Sequence, residues 1–118
     1  MKQTISPPQD KKLTILFRVE PGCLGPHGRD HINEFCEFAQ QQYDALESPL
    51  INWQIVSRSN KHLPETEYKL INKNLSEAQA GKYLALFGKE LEEFELELHD
   101  KLTELIDQFA SANPALFK

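Results

Sequence analysis

From Lys12 to Glu20 apolar and polar residues alternate, with Leu13, Ile15, Phe17 and Val19 on one face and Thr14, Arg18 and Glu20 on the other. That period of two predicts a half-buried β-strand, with Leu16 as its one exception. After a twelve-residue loop the period changes. Ile32, Phe35, Cys36, Ala39, Tyr43 and Leu46 recur at spacings of three and four, which predicts a helix capped by Asp30 and stopped at Ser48-Pro49. Two further strands are expected at Ile51 to Arg58 and Thr66 to Asn72, joined by the short polar link SNKHLPE and so read as an antiparallel hairpin.

Ser76, with Gln79 three residues later, has the spacing of a capping box. From there an apolar seam runs through Ala80, Leu84, Phe87, Leu91, Phe94, Leu98, Leu102, Leu105 and Phe109, always in steps of three or four, until Asn113-Pro114. The unbroken seam predicts one helix over about residues 77–112, continuous or mildly kinked rather than broken at Gly81 or Gly88. At 1.5 Å per residue such a helix is roughly 54 Å long, far more than a short strand of about 23 Å can cover. Leu86 and Leu96 lie off the seam and widen its apolar face.

Strand, helix, strand, strand, helix is the order of a two-layer α+β domain, ferredoxin-like but lacking or nearly lacking its last strand, with the third strand expected between the first two. Ala115-Leu116-Phe117 offers at most a stub of a fourth strand. The organisation read from the chain is a lead-in over residues 1–10 and a single domain over 11–118. The overhanging seam points to a homodimer through Leu84, Phe87, Leu91, Phe94, Leu98, Leu102, Leu105 and Phe109, through an open sheet edge, or through both.

The net charge of −5 is concentrated, because residues 89–107 hold eight acids and two lysines, leaving ten acids and eleven bases elsewhere. No broad basic surface remains to neutralise phosphates, which argues against general nucleic-acid binding. The acidic helix face is instead suited to a basic protein partner. The start MKQTISPPQDKK lacks an apolar signal core, no stretch is long and apolar enough to span a membrane, and only two cysteines occur; together these predict a cytoplasmic protein with no membrane segment.

Candidate chemistry is concentrated in EPGCLGPHGRDH, Glu20 to His31. Cys23, His27 and His31 are soft and borderline metal ligands, and zinc is the metal they would suit. Their spacing, C-x3-H-x3-H-x4-C, matches no established zinc pattern, and Cys36 falls on the apolar side of the helix as a small core residue. The same three residues could form a catalytic set, with Cys23 as nucleophile and His27 or His31 as base. Gly22, Gly25, Gly28, Arg29 and Asp30 place a glycine-bearing loop and a cation before a helix, as in anion sites, although Pro21 and Pro26 lack amide donors and Asp30 would repel an anion. Glu92, Glu95 and His99 share one helix face, but a solvated face is the simpler reading.

The function expected from these features is a non-enzymatic interaction or regulatory protein without a cofactor. It would homodimerise through the long helix, the sheet edge or both, and present an acidic surface to a partner. The alternative is a metal- or small-ligand-binding protein, or a Cys/His enzyme, using the loop Glu20 to His31.

Overall fold

A computed structural model describes residues 11–114 of the chain. The elements run β1 (Leu13–Val19), a short 3-10 turn (Pro21–Leu24), α1 (Gly28–Asp44), β2 (Ile51–Ser57), β3 (Thr66–Leu70), β4 (Lys73–Leu75), α2 (Glu77–Ala85) and α3 (Leu91–Ala112). This is an α+β fold with a four-stranded mixed sheet, and a long C-terminal helix follows it, as the period changes along the chain predict. The lead-in 1–10 and the stub Ala115-Leu116-Phe117 lie outside the described residues.

The strand order is β2-β1-β3-β4. β1 is therefore central, parallel to β2 through the α1 crossover (Ile15 opposite Trp53) and antiparallel to β3 (Ile15 opposite Tyr68). This corrects two expectations: β2 and β3 are not a hairpin, and the third strand does not lie between the first two. The hairpin partner of β3 is β4, reached through a two-residue turn, Ile71-Asn72, in which both residues have positive φ (50° and 64°). These are the angles of a type I′ turn, whose twist matches that of the paired strands.

Trp53, Phe17 and Tyr68 share one sheet face and meet the helices there: Trp53 packs on Tyr43 and Phe94, Phe17 meets the ring of His99, and the Tyr68 hydroxyl donates to Glu95. Leu13, Ile15, Val19, Ile51 and Ile55 complete this face, and all are buried. Leu16, out of step with the strand pattern, is buried on the opposite face. There Arg18 pairs with Glu67 and donates to the Pro64 carbonyl at 2.7 Å.

The capping box at Ser76 forms: the Gln79 amide donates to Ser76 Oγ at 3.1 Å and the Ser76 amide to Gln79 Oε1 at 2.8 Å. The long helix, however, is broken. Gly88 takes φ 72°, its amide donates to Ala85 O at 3.0 Å, and the Lys89 amide donates to Leu84 O at 3.1 Å. That pair of bonds closing on a left-handed glycine is a Schellman cap, which satisfies the last carbonyls of α2 and turns the chain. Gly81 stays inside α2.

The break lets both halves of the seam reach the same core. Ala80, Leu84, Leu91, Leu98, Leu102, Leu105 and Phe109 are buried within this one chain, and Phe87 and Phe94 pack against them half-buried. The residues expected at a dimer interface thus already have intramolecular partners. Phe109 meets Phe35 and Phe38 of α1, and the Tyr43 hydroxyl donates to the Leu98 carbonyl at 2.6 Å. Leu86 and Leu96 remain 78% and 60% exposed.

Among the described strands β2 is one edge of the sheet. Its outward backbone is engaged by a side chain: Gln40 Nε2 donates to Trp53 O at 2.8 Å and the Ile55 amide donates to Gln40 Oε1 at 2.8 Å. A carboxamide placed this way imitates one residue of a neighbouring strand and blocks that stretch of the edge.

Candidate functional site

Because β1 and β2 are parallel and joined by α1, their C-terminal ends, the loop after β1 and the first turns of α1 must converge. Crevices at such strand ends are a common place for ligands in sheets with parallel strands. Here they enclose an open cleft of about 900 Å³. Its walls are Glu20, Pro21, Gly22, Gly25 and Pro26 from the loop, Arg29, Ile32 and Asn33 from α1, and Ser57, Arg58, Ser59 and Lys61 from the end of β2 and the segment beyond it.

The loop keeps its path through a close contact. A Cβ at Gly28 would lie 1.8 Å from the Pro21 carbonyl oxygen and 3.0 Å from Leu24 Cβ, so only glycine lets α1 start this near the 3-10 turn. The Gly28 amide is itself used, donating to Gly25 O at 3.0 Å. α1 begins at Gly28 with His27 at its cap position, so the expected cap Asp30 lies inside the first turn. Asp30 is exposed and does not line the cleft.

Three cations from two parts of the chain, Arg29 on α1 and Arg58 and Lys61 after β2, line this space. Arg58 is anchored: Nη1 is 3.1 Å from Glu20 Oε1, Nη2 donates to Leu63 O at 3.2 Å, and Nε is shielded from solvent, with no hydrogen-bond partner among the described residues. Arg29 and Lys61 are exposed and make no polar contact within the described residues. Among the described lining residues Glu20 is the one carboxylate, so they are net positive in a chain whose net charge is −5. Side chains supply this charge, because Pro21 and Pro26 have no amide to offer.

Of the residues singled out in the sequence, Gly22, Gly25 and Arg29 line the cleft, whereas Gly28 and Asp30 serve or flank the helix start. Cys23 is exposed on the 3-10 turn and His27 is exposed at the helix cap. The His31 Nδ1 is shielded, with Glu34 of the same helix at 3.6 Å, beyond hydrogen-bond length. Among the described residues no group of three or more His, Cys, Asp or Glu side chains is arranged to hold a metal ion. The zinc set of Cys23, His27 and His31 is therefore not assembled, and neither is one from Glu92, Glu95 and His99; Glu95 instead accepts from Tyr68.

Both cysteines are free thiols. Cys36 lies in the core as its helix position predicts, and burial pushes its thiol up from 9.0 to about 11. Sequence reasoning passed over Asn33, Ser57, Arg58, Ser59 and Lys61. The available signal was the basic, hydroxyl-bearing run SRSNK at the end of a strand that a β-α-β unit brings beside the first loop.

No helix among the described residues is long and apolar enough to cross a membrane. Comparison of the chain with family models, with curated proteins and with solved structures finds no match.

Proposed function

We propose that this protein binds a small organic anion in the cleft between the Glu20 to His31 loop and the end of β2. The observation that carries this reading is the pair Arg29 and Lys61. Neither has a polar partner among the described residues, and both line the same cleft as the anchored Arg58. Exposed cations gathered around one concavity favour an anionic ligand, and the guanidinium fork of Arg29 adds directional donors to the charge. Titration calorimetry with inorganic phosphate and with citrate tests it. Saturable binding that weakens as salt rises, and that drops at least tenfold in Arg29→Ala and Lys61→Ala, is expected. Absence of saturable binding by any small anion would end the reading.

A second reading keeps the interaction role but moves it off the seam. Leu96 is 60% exposed on the face of α3 that also carries the exposed Glu92, Glu93, Glu97 and Asp100, a surface suited to a basic protein partner. Light scattering of the wild type and Leu96→Glu separates this from self-association. A dimer lost on substitution would make the partner a second copy, and a mass equal to one chain in both leaves the surface to a different protein.

A further inference from the structure

Resting on the anion-binding reading, we infer that the ligand is a phosphate ester with a hydroxyl-rich, non-aromatic body: a sugar or polyol phosphate. Volume comes first. A space of about 900 Å³ is near the upper end of small-molecule sites, so an inorganic anion would leave most of it as water. The cleft has room for an anion that carries a body.

The charged group is matched by donors only. Arg29 and Lys61 have no polar partner among the described residues, and Arg58, held by Glu20 and Leu63, adds its charge to the same wall. A phosphate monoester presents several acceptor oxygens and close to two negative charges near neutrality, which suits the two exposed cations Arg29 and Lys61 beside the Arg58 charge better than a single carboxylate does.

The body is matched by groups that both donate and accept. Asn33, Ser57 and Ser59 line the same cleft, and amide and hydroxyl side chains pair with hydroxyls in either sense. The carboxylate of Glu20 can accept from a further hydroxyl. Pro21 and Ile32 supply apolar surface for the C–H face of such a body. None of the described lining residues is aromatic, so a nucleobase would find no ring to stack on. This sets sugar and polyol phosphates apart from nucleotides.

Calorimetry on the full chain with ribose 5-phosphate, glucose 6-phosphate, glycerol 3-phosphate, AMP, ribose and inorganic phosphate tests the assignment. At least one of the three phosphate esters should bind tenfold or more tighter than inorganic phosphate and ribose, and AMP should gain nothing over ribose 5-phosphate. Asn33→Ala with Ser59→Ala, both at exposed positions, should lower ester affinity at least fivefold while leaving inorganic phosphate unchanged. Tenfold tighter binding of AMP, or equal affinity for phosphate and all three esters, would overturn this inference and leave the anion reading standing. If nothing in the panel binds, and citrate does not bind either, both fail.

Discussion

The carboxamide of Gln40 on α1 is hydrogen-bonded to the carbonyl of Trp53 on β2 at 2.8 Å, and its oxygen receives the Ile55 amide at the same distance. Two backbone groups on an edge strand are thereby satisfied by one side chain from the crossover helix. The bonds also hold α1 in place over the strand whose C-terminal end forms a wall of the cleft. Gln40→Ala removes both and should cost about 2 kcal/mol, at roughly 1 kcal/mol for each bond. Gln40→Glu keeps the acceptor for Ile55 but turns a carboxylate oxygen toward the Trp53 carbonyl, so it should recover only part of the loss. Urea denaturation of the three proteins gives the comparison, and equal midpoints would show that the edge needs no cover.

Two glycines of the loop should respond oppositely to the same substitution. At Gly28 an added methyl meets the Pro21 carbonyl at 1.8 Å, and backbone must shift to admit it. Gly28→Ala should therefore destabilise by about 2 kcal/mol or more, in the range of overpacked interiors. At Gly22 a Cβ meets nothing within 4 Å and φ is not positive, so Gly22→Ala should fall within about 0.5 kcal/mol of wild type. Thermal melts distinguish the two, and a stable Gly28→Ala would mean that α1 can start farther from the turn than described.

The two thiols differ in access. Cys23 is exposed on its turn, while Cys36 is 7% exposed with its thiol raised to about 11, so at pH 8 only Cys23 offers an accessible sulfur. Iodoacetamide treatment of the native protein should give one adduct, located at Cys23 by peptide mass mapping, with the second appearing only in denaturant. Modification of both at similar rates in native buffer would show that the α1 core opens readily.

What was legible in the chain was periodicity. The alternation through β1 and the three-four spacing of Ile32, Phe35, Cys36, Ala39 and Tyr43 are local consequences of which side chains face the core, and all of these residues are buried. Strand order was not legible, because a polar link between Arg58 and Thr66 permits either a hairpin or a passage to the far side of β1. The second path is the one followed, leaving β3 to pair with β4. The break at Gly88 was hidden for a related reason. A seam spaced by threes and fours reads the same whether it lies along one helix or is shared by two helices that meet one core. Only the left-handed glycine with Lys89 after it marks the cap. For the site, the loop Glu20 to His31 was visible by its density of functional side chains, yet Cys and His drew the reading toward metal chemistry. The cations that share the cleft with Arg29 come from residues 58 and 61, and no spacing rule links them to the loop until the sheet is assembled.

Alkaline stability follows from three buried acids of one sign. Burial raises the thiol of Cys36 to about 11, raises the Tyr43 hydroxyl, with Glu97 adding to it, and raises the Tyr68 hydroxyl, with the bond to Glu95 adding to it. In the unfolded chain these groups ionise near their ordinary values, 9.0 for the thiol and 10.0 for the phenols. Above those values the unfolded state has lost protons that the folded state keeps, so fewer protons are bound unfolded than folded and the free energy of unfolding falls with pH. Their contribution is complete below about pH 9, where both states are protonated, and declines through pH 9 to 11 and beyond. The melting temperature should therefore hold steady from pH 7 to 8.5 with respect to these groups and drop progressively above pH 9. Cys36→Ala removes one of the three and Tyr68→Phe another, so each variant should show a shallower decline than wild type over pH 9 to 11 even where its absolute stability at pH 7 is lower. Parallel slopes in all three proteins would place the alkaline loss in groups other than these.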